Sequence, residues 1–174
     1  VIERAMIAVD QARAARVPVA CFDPVRYGSP GANLSLMSEM LRALENGQIS
    51  VHYQPKYDLR KGAVIGIEAL VRWQHPQRGA IGPDLFVQMA EETGHILAMT
   101  EWVLRRAVAD QHILKAAGHE LAVAINWSGL VINDAALTDL ALELTATAAD
   151  PICLEVTETA IIGNPRSEER RVGK

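Results

Sequence analysis

Residues 49–73, ISVHYQPKYDLRKGAVIGIEALVRW, decide the fold of this chain. Two runs rich in β-branched and aromatic residues flank Arg60-Lys61-Gly62, a group that suits a tight turn. Because so short a connection cannot make the crossover that parallel strands need, the runs are predicted to form an antiparallel hairpin. The second run carries Glu68 among apolar neighbours. An ionised carboxylate there needs a compensating partner, so Glu68 is the first candidate functional residue.

Downstream of the hairpin, helical and strand patterns alternate. Helices are predicted from about Gly82 to Gly94, over about residues 96–117 and over about residues 133–148. Between them lie the short runs LAVAIN (121–126) and ICLEVTE (152–158). Short, apolar strands between helices indicate a parallel sheet covered on both faces. The predicted fold class is therefore α/β, with its chemistry at the carboxyl ends of the strands.

The sequence before the hairpin predicts a separate unit. Residues 1–16 have the spacing of an amphipathic helix, and residues 17–22 resemble a short strand. Residues 24–32 hold the prolines and glycines of a linker, and a helix is predicted over about 33–46. The chain lacks an initiator Met, so we expect it to begin within a longer protein.

Composition limits the function classes. Hydrophobic residues make up 49% and charged residues 22%, as in a globular protein. The net charge is -4 and no basic stripe stands out, so no nucleic-acid polymer is expected as a partner. No apolar run approaches the roughly 20 residues that span a bilayer. Cys21 and Cys153 lie in apolar runs without metal-ligand spacing, and buried free thiols are predicted.

Three polar residues interrupt or end the apolar strands: Glu68, Asn126 and Glu155. If their strands are neighbours, the three side chains can meet at one place. Two carboxylates and an amide oxygen form a hard donor set that suits Mg²⁺, Mn²⁺ or Ca²⁺. The alternative is an ion pair with Lys or Arg for each Glu, and a turn or cap role for Asn126.

Further candidates accompany these three residues. Glu158 lies past the last strand and is interpreted either as a support for the following loop or as a helix cap. Arg72 is expected either to pair with Glu68 or to clamp a phosphate. Gln54 is expected to bind a base edge, or else to be a barrel-interior amide satisfied by backbone.

An ordered series of motifs runs through the chain: YQPKYDL, GIEALVRWQHP, G-x-I-x-P-x-x-F from Gly79 to Phe86, AEETG, AINWS and LEVTETA. Over about residues 33–164 this series resembles the EAL family of cyclic di-GMP phosphodiesterases. The resemblance implies a TIM-type (β/α) barrel whose first strand is antiparallel. It also implies that Glu68, Asn126 and Glu155 bind metal and that Glu158 supports a loop. By the same resemblance, Gln54, Leu70 and Arg72 hold the dinucleotide.

The implied reaction is hydrolysis of cyclic di-GMP to linear pGpG with Mg²⁺ or Mn²⁺. The implied location is the cytoplasm, and the implied assembly is a homodimer formed through the EAL domain. The resemblance does not decide whether the parent protein carries a membrane anchor upstream of this chain. The alternative is a degenerate receptor or interaction module without catalysis. Asn126 is followed by Trp127 where the family more often has Leu, a change expected to affect packing rather than ligation.

The resemblance also predicts the domain organisation. Residues 1–23 resemble the end of a GGDEF-like domain, residues 24–32 form the linker, and residues 33–165 are the N-terminal part of the barrel. The family's later Asp-Asp, Lys and Glu cannot be placed, so we expect a barrel truncated about midway and inactive by itself. The charged tail, residues 166–174, is predicted to be disordered or artefactual.

Overall fold

A computed structural model describes Val19, Cys21 and residues 30–156 of the chain. The predicted helix and strand before residue 23, linker residues 24–29, Glu158 and the tail lie outside the described residues, apart from Val19 and Cys21. The chain divides into two units between Glu39 and Met40, and the second unit contains every described strand.

The described elements alternate as expected from the sequence. Helix α1 spans Pro30–Glu45, followed by strands β1 (Ile49–Asp58), β2 (Ala63–His75) and β3 (Gly79–Ile81). Then come helices α2 (Pro83–Thr93) and α3 (Ile96–Ala116), strand β4 (Ala122–Trp127), helix α4 (Ala135–Thr147) and strand β5 (Ile152–Val156). The helix predicted from about residue 33 begins earlier, at Pro30, because proline is favourable in the first turn of a helix.

The predicted hairpin is confirmed, since β1 pairs antiparallel with β2 along its whole length. Its turn is held by Asp58, whose Oδ1 accepts hydrogen bonds from the backbone N–H groups of Arg60 (2.8 Å) and Lys61 (3.1 Å). Gly62 closes the turn with φ of 64°, a left-handed conformation that glycine adopts without steric cost. Local turn chemistry therefore sets the direction of the first strand.

The remaining strands extend the sheet in the order β1-β2-β4-β5. The β2–β4 and β4–β5 pairs are parallel, as predicted. Strand β3 was not predicted, because it has only three residues in a stretch rich in turn residues; it pairs antiparallel with the end of β2. The described sheet is thus a mixed sheet whose first strand is reversed.

Only one face of this sheet is well buried. On β2 and β4 that face carries alternate apolar residues: Ile67, Ala69, Trp73, Val123, Ile125 and Trp127. The ring of Trp73 packs edge-on against Phe86 of α2, with ring centroids 5.6 Å apart. The prediction of cover on both faces is wrong for the described residues, because the other face carries the polar candidates and stays partly open.

The open face also explains the exposure of Cys153. Cys153 of β5 is a free thiol and is exposed, as is Cys21, so the prediction of buried thiols is wrong. Cys153 alternates with Leu154 and shares the open face with Glu155. An apolar run therefore did not ensure burial.

Among the described helices, none is both long and apolar enough to span a membrane.

Candidate functional site

The open face brings the predicted site residues together through strand register. Gln54 lies opposite Glu68 in the β1–β2 pair, and Asn126 lies opposite Glu155 in the β4–β5 pair. In the β2–β4 pair Glu68 is level with Ala124, so Asn126 is two residues further along its strand on the same face. Four polar side chains from four strands thus form one cluster on the sheet.

Within this cluster Glu68 and Asn126 are directly hydrogen-bonded. Asn126 Nδ2 donates to Glu68 Oε1 at 2.9 Å. Glu68 is half-buried and Asn126 is exposed. The bond uses the nitrogen of the amide, so the amide oxygen of Asn126 remains the atom suited to a cation.

Glu155 has a different partner, Lys56 of β1. Lys56 Nζ donates a hydrogen bond to Glu155 Oε1 and forms an ion pair with it. This hydrogen bond raises the pKa of Lys56 above its ordinary value, and the negative charge of Glu68 acts in the same direction. The alternative considered for the strand carboxylates, pairing with a lysine, is therefore found at Glu155.

Sequence reasoning missed Lys56. The available signal was its spacing, because Lys56 lies two residues after Gln54 and strand alternation puts both on one face. The register shifts directly after Lys56, between it and Tyr57. Such an irregularity increases local twist and re-aims the neighbouring side chains.

The other predicted contact residues follow Glu68 on β2. Leu70 and Arg72 occupy the next alternate positions on the same face, and both are half-buried. Arg72 Nη1 donates to the backbone oxygen of Val71 at 2.8 Å, so in the described structure the guanidinium bonds to backbone rather than to Glu68. Glu158 lies outside the described residues.

A buried amide fixes the entry to the last two strands. Gln111 of α3 is 1% exposed, and its Nε2 donates to the backbone oxygens of Leu121 (3.2 Å) and Pro151 (3.5 Å). Its Oε1 accepts from the backbone N–H of Asp150 at 3.2 Å. Because these residues directly precede β4 and β5, Gln111 sets the relative height of Asn126 and Glu155.

Close backbone contact sets the spacing of β2 and β4. A Cβ added at Gly66 would lie 2.9 Å from the backbone oxygen of Ala122, closer than real Cβ atoms approach. Gly66 is two residues before Glu68 and pairs with Ala122. The absence of a side chain at Gly66 therefore allows β4 to bring Asn126 next to Glu68.

On the opposite face, Tyr53 ties the reversed strand to the helical layer. Its hydroxyl donates to Asp110 Oδ2 of α3 at 2.9 Å, and Arg106 Nε donates to the same oxygen at 2.9 Å. Burial, followed by the hydrogen bond and charge of Asp110, raises the pKa of the Tyr53 hydroxyl well above its ordinary value. Strand β1 is thereby anchored behind Gln54 and Lys56.

The donor chemistry of the cluster fits a hard divalent cation. Glu68 and Glu155 supply carboxylate oxygens and Asn126 supplies an amide oxygen, the ligand types that Mg²⁺ and Mn²⁺ prefer. No group of three or more His, Cys, Asp or Glu side chains at metal-binding distances exists within residues 30–156. A cation at this place would therefore rest on a mixed carboxylate–amide set.

Fold and site together define an α/β protein with a reversed first strand and a carboxylate–amide cluster on its open face, where Asn126 and Glu155 lie near strand ends and Glu68 lies in the middle of β2. The chain belongs to the EAL domain family, which it matches over residues 37–172. It is 44% identical over 135 residues to the cyclic di-GMP phosphodiesterase NbdA of Pseudomonas aeruginosa, covering 75% of this chain and 17% of that protein. It is 40% identical over 130 residues to the bifunctional diguanylate cyclase/cyclic di-GMP phosphodiesterase MucR of the same organism, covering 72% of this chain and 19% of MucR.

A solved structure supports the same assignment. The PaMucR phosphodiesterase in its c-di-GMP complex superposes with a TM-score of 0.68 at 36% identity, over 78% of this chain and 56% of that chain. The fold described here is therefore a partial TIM-type barrel, as predicted. The chain spans less than a fifth of the length of these two sequence relatives, at 17% and 19%.

Proposed function

We propose that this chain contributes to an enzyme that hydrolyses one phosphodiester bond of cyclic di-GMP, giving linear pGpG. The observation that carries the proposal is the meeting of Glu68, Asn126 and Glu155 on adjacent strands of an EAL-type sheet. The named activities of the NbdA and MucR relatives support it.

Glu68, Asn126 and Glu155 would hold a Mg²⁺ or Mn²⁺ ion in this proposal. When bound, such an ion polarises a phosphoryl oxygen and lowers the pKa of a coordinated water. The protein's own part is to keep three oxygen donors together on rigid strands, where their positions are not set by a flexible loop. Glu158 is assigned the support of the loop after β5.

Substrate binding is assigned to residues around these donors. The amide of Gln54 can donate to and accept from a guanine edge. Arg72 can turn its guanidinium from the Val71 carbonyl to a phosphate, which it binds through two parallel N–H groups. Leu70 lies between Glu68 and Arg72 on the same face and offers an apolar surface to the dinucleotide.

A chimera tests this function in the context of a complete domain. Residues 37–156 replace the matching part of the MucR phosphodiesterase, and formation of linear pGpG from cyclic di-GMP with Mg²⁺ is followed by chromatography. We expect hydrolysis by the chimera and a loss of at least about 100-fold with Glu68→Gln, since even supporting residues of metal sites cost 10–100-fold.

Other outcomes would favour different conclusions. A folded chimera that binds cyclic di-GMP without forming pGpG would favour the receptor alternative. Hydrolysis that is unchanged by Glu68→Gln would contradict the assigned metal ligands.

The proposal extends to a homodimer and a cytoplasmic location, and sedimentation of the chain tests the former.

A further inference from the structure

Lys56 is the one lysine whose ammonium group contacts a proposed metal ligand within the described residues. Lys56 belongs to β1 and Glu155 to β5, the first and last strands of the order β1-β2-β4-β5, and 99 positions separate them. The side chains of Lys56 and Glu155 therefore meet above the open face.

The charges on this face explain the contact. Glu68 and Glu155 bring two carboxylates to one cluster, and carboxylates that share a site repel each other when both are ionised. Lys56 supplies a positive charge that acts on both, because its ammonium bonds Glu155 and is also stabilised by the charge of Glu68. Lys56 thus supplies part of the compensation that a cation would supply.

The contact is also open to exchange. The side chains of Lys56 and Glu155 are each 39% exposed. Ion pairs at such exposure contribute little free energy, because water screens the two charges. A lysine ammonium sits on a flexible stem of four carbons and can move to solvent without a change of backbone.

We propose that Lys56 is a built-in counter-ion that holds Glu155 when no metal is bound and is displaced from it when a divalent cation binds. Lys56 therefore sets the cation concentration at which the site fills. This inference rests on the proposed function, because it takes Glu155 to be a metal ligand.

The test compares Lys56→Met with Lys61→Met in the full 174-residue chain. Both changes remove one positive charge and keep a similar stem, but Lys61 is 72% exposed and lies 4.0 Å from Asp58 in the hairpin turn. Free Mn²⁺ is measured by electron paramagnetic resonance during titration. Loss of the competing ion pair is expected to tighten Mn²⁺ binding about two- to five-fold in Lys56→Met. Lys61→Met is expected to bind as the wild type does.

Equal or weaker Mn²⁺ binding by Lys56→Met would overturn the inference. If Glu155→Gln still weakened Mn²⁺ binding in that case, the proposed metal site would be retained and only the role of Lys56 as its counter-ion would be rejected. Absence of Mn²⁺ binding in every variant, the wild type included, would overturn both.

A second measurement needs no variant of uncertain folding. The wild-type chain with ¹³C-labelled lysines is titrated with Mg²⁺, and the side-chain Cε signals are followed. The Lys56 signal is expected to move to the position of a solvated lysine while the Lys61 signal stays unchanged. A Lys56 signal that does not respond to saturating Mg²⁺ would overturn the displacement.

Discussion

Asn126 donates a hydrogen bond of 2.9 Å to Glu68, although the two residues lie 58 positions apart in the chain. The bond depends on the register of the β2–β4 pair, because β4 must lie beside β2 at the level where Ala124 faces Glu68. The polar cluster of this family member is therefore a product of sheet pairing, and changes that disturb the pairing are expected to act on the cluster.

Asn126→Ala is expected to weaken Mn²⁺ binding at least about 10-fold, since it removes one oxygen donor and a partner of Glu68. Mn²⁺ titration followed by electron paramagnetic resonance measures the change. Asn133→Ala, at an exposed turn position, is the matched control and should bind Mn²⁺ normally. Equal binding by the two variants would show that Asn126 is not a ligand.

Gly66→Ala is expected to destabilise the chain by about 1–3 kcal/mol, the usual cost of forcing extra atoms into a packed region. The added methyl group would meet the Ala122 backbone oxygen at 2.9 Å, so β2 and β4 must separate. Urea unfolding followed by circular dichroism measures this cost. Gly82→Ala, with open space around its Cβ position, should cost less than about 1 kcal/mol. If Gly66→Ala unfolded no earlier than Gly82→Ala, close strand approach would not limit residue size at position 66.

Gln111→Leu is expected to lower the free energy of unfolding by about 1–3 kcal/mol, because the part-buried backbone N–H of Asp150 would lose its acceptor. Its neighbour on the same helix, His112, is exposed, and His112→Leu should change stability by less than about 0.5 kcal/mol. Thermal and urea unfolding of both variants test the difference. A Gln111→Leu chain as stable as the His112→Leu chain would contradict the assigned role.

Tyr53 is expected to make stability depend on pH above about 10, the pKa of an unfolded tyrosine. Its pKa is raised in the folded chain, so the unfolded state loses the proton first. The stabilisation is therefore complete below pH of about 10 and decreases as the pH rises further. Urea unfolding between pH 8 and 11 should show an advantage of wild type over Tyr53→Phe that is constant up to a pH of about 10 and shrinks above it.

Tyr57→Phe provides the control. Tyr57 lies on the same strand and is 56% exposed, so its removal should leave the pH trend of the wild type in place. An advantage over Tyr53→Phe that stayed constant with pH would mean that the Tyr53 hydroxyl does not titrate differently in the two states.

Much of the fold follows from local sequence. Arg60-Lys61-Gly62 between two strand-like runs predicts the hairpin, and the turn forms through Asp58 and Gly62. The alternation of apolar strands with helices predicts the parallel pairs. Apolar character alone did not indicate which face would be covered, so Cys153 was predicted to be buried and is exposed.

The residues of the candidate site also fall into two groups, those that the sequence predicted and those that only the structure revealed. Glu68, Asn126 and Glu155 were recognised from the sequence, because a polar residue in or at the end of an apolar strand is costly without a partner. Lys56, Gln111 and Gly66 were not, since their roles depend on what lies across the sheet or behind it. Glu158 stays a prediction.

The sequence by itself determined the order and type of the described elements other than β3, the reversed first strand and the carboxylates that lie in the sheet. These properties depend on short-range turn chemistry and on hydrophobic periodicity, which neighbouring residues settle among themselves. Only the tertiary structure decided which partner each charge finds, because strand register brings together residues up to 99 positions apart. Glu68 thereby pairs with an amide and Glu155 with a lysine.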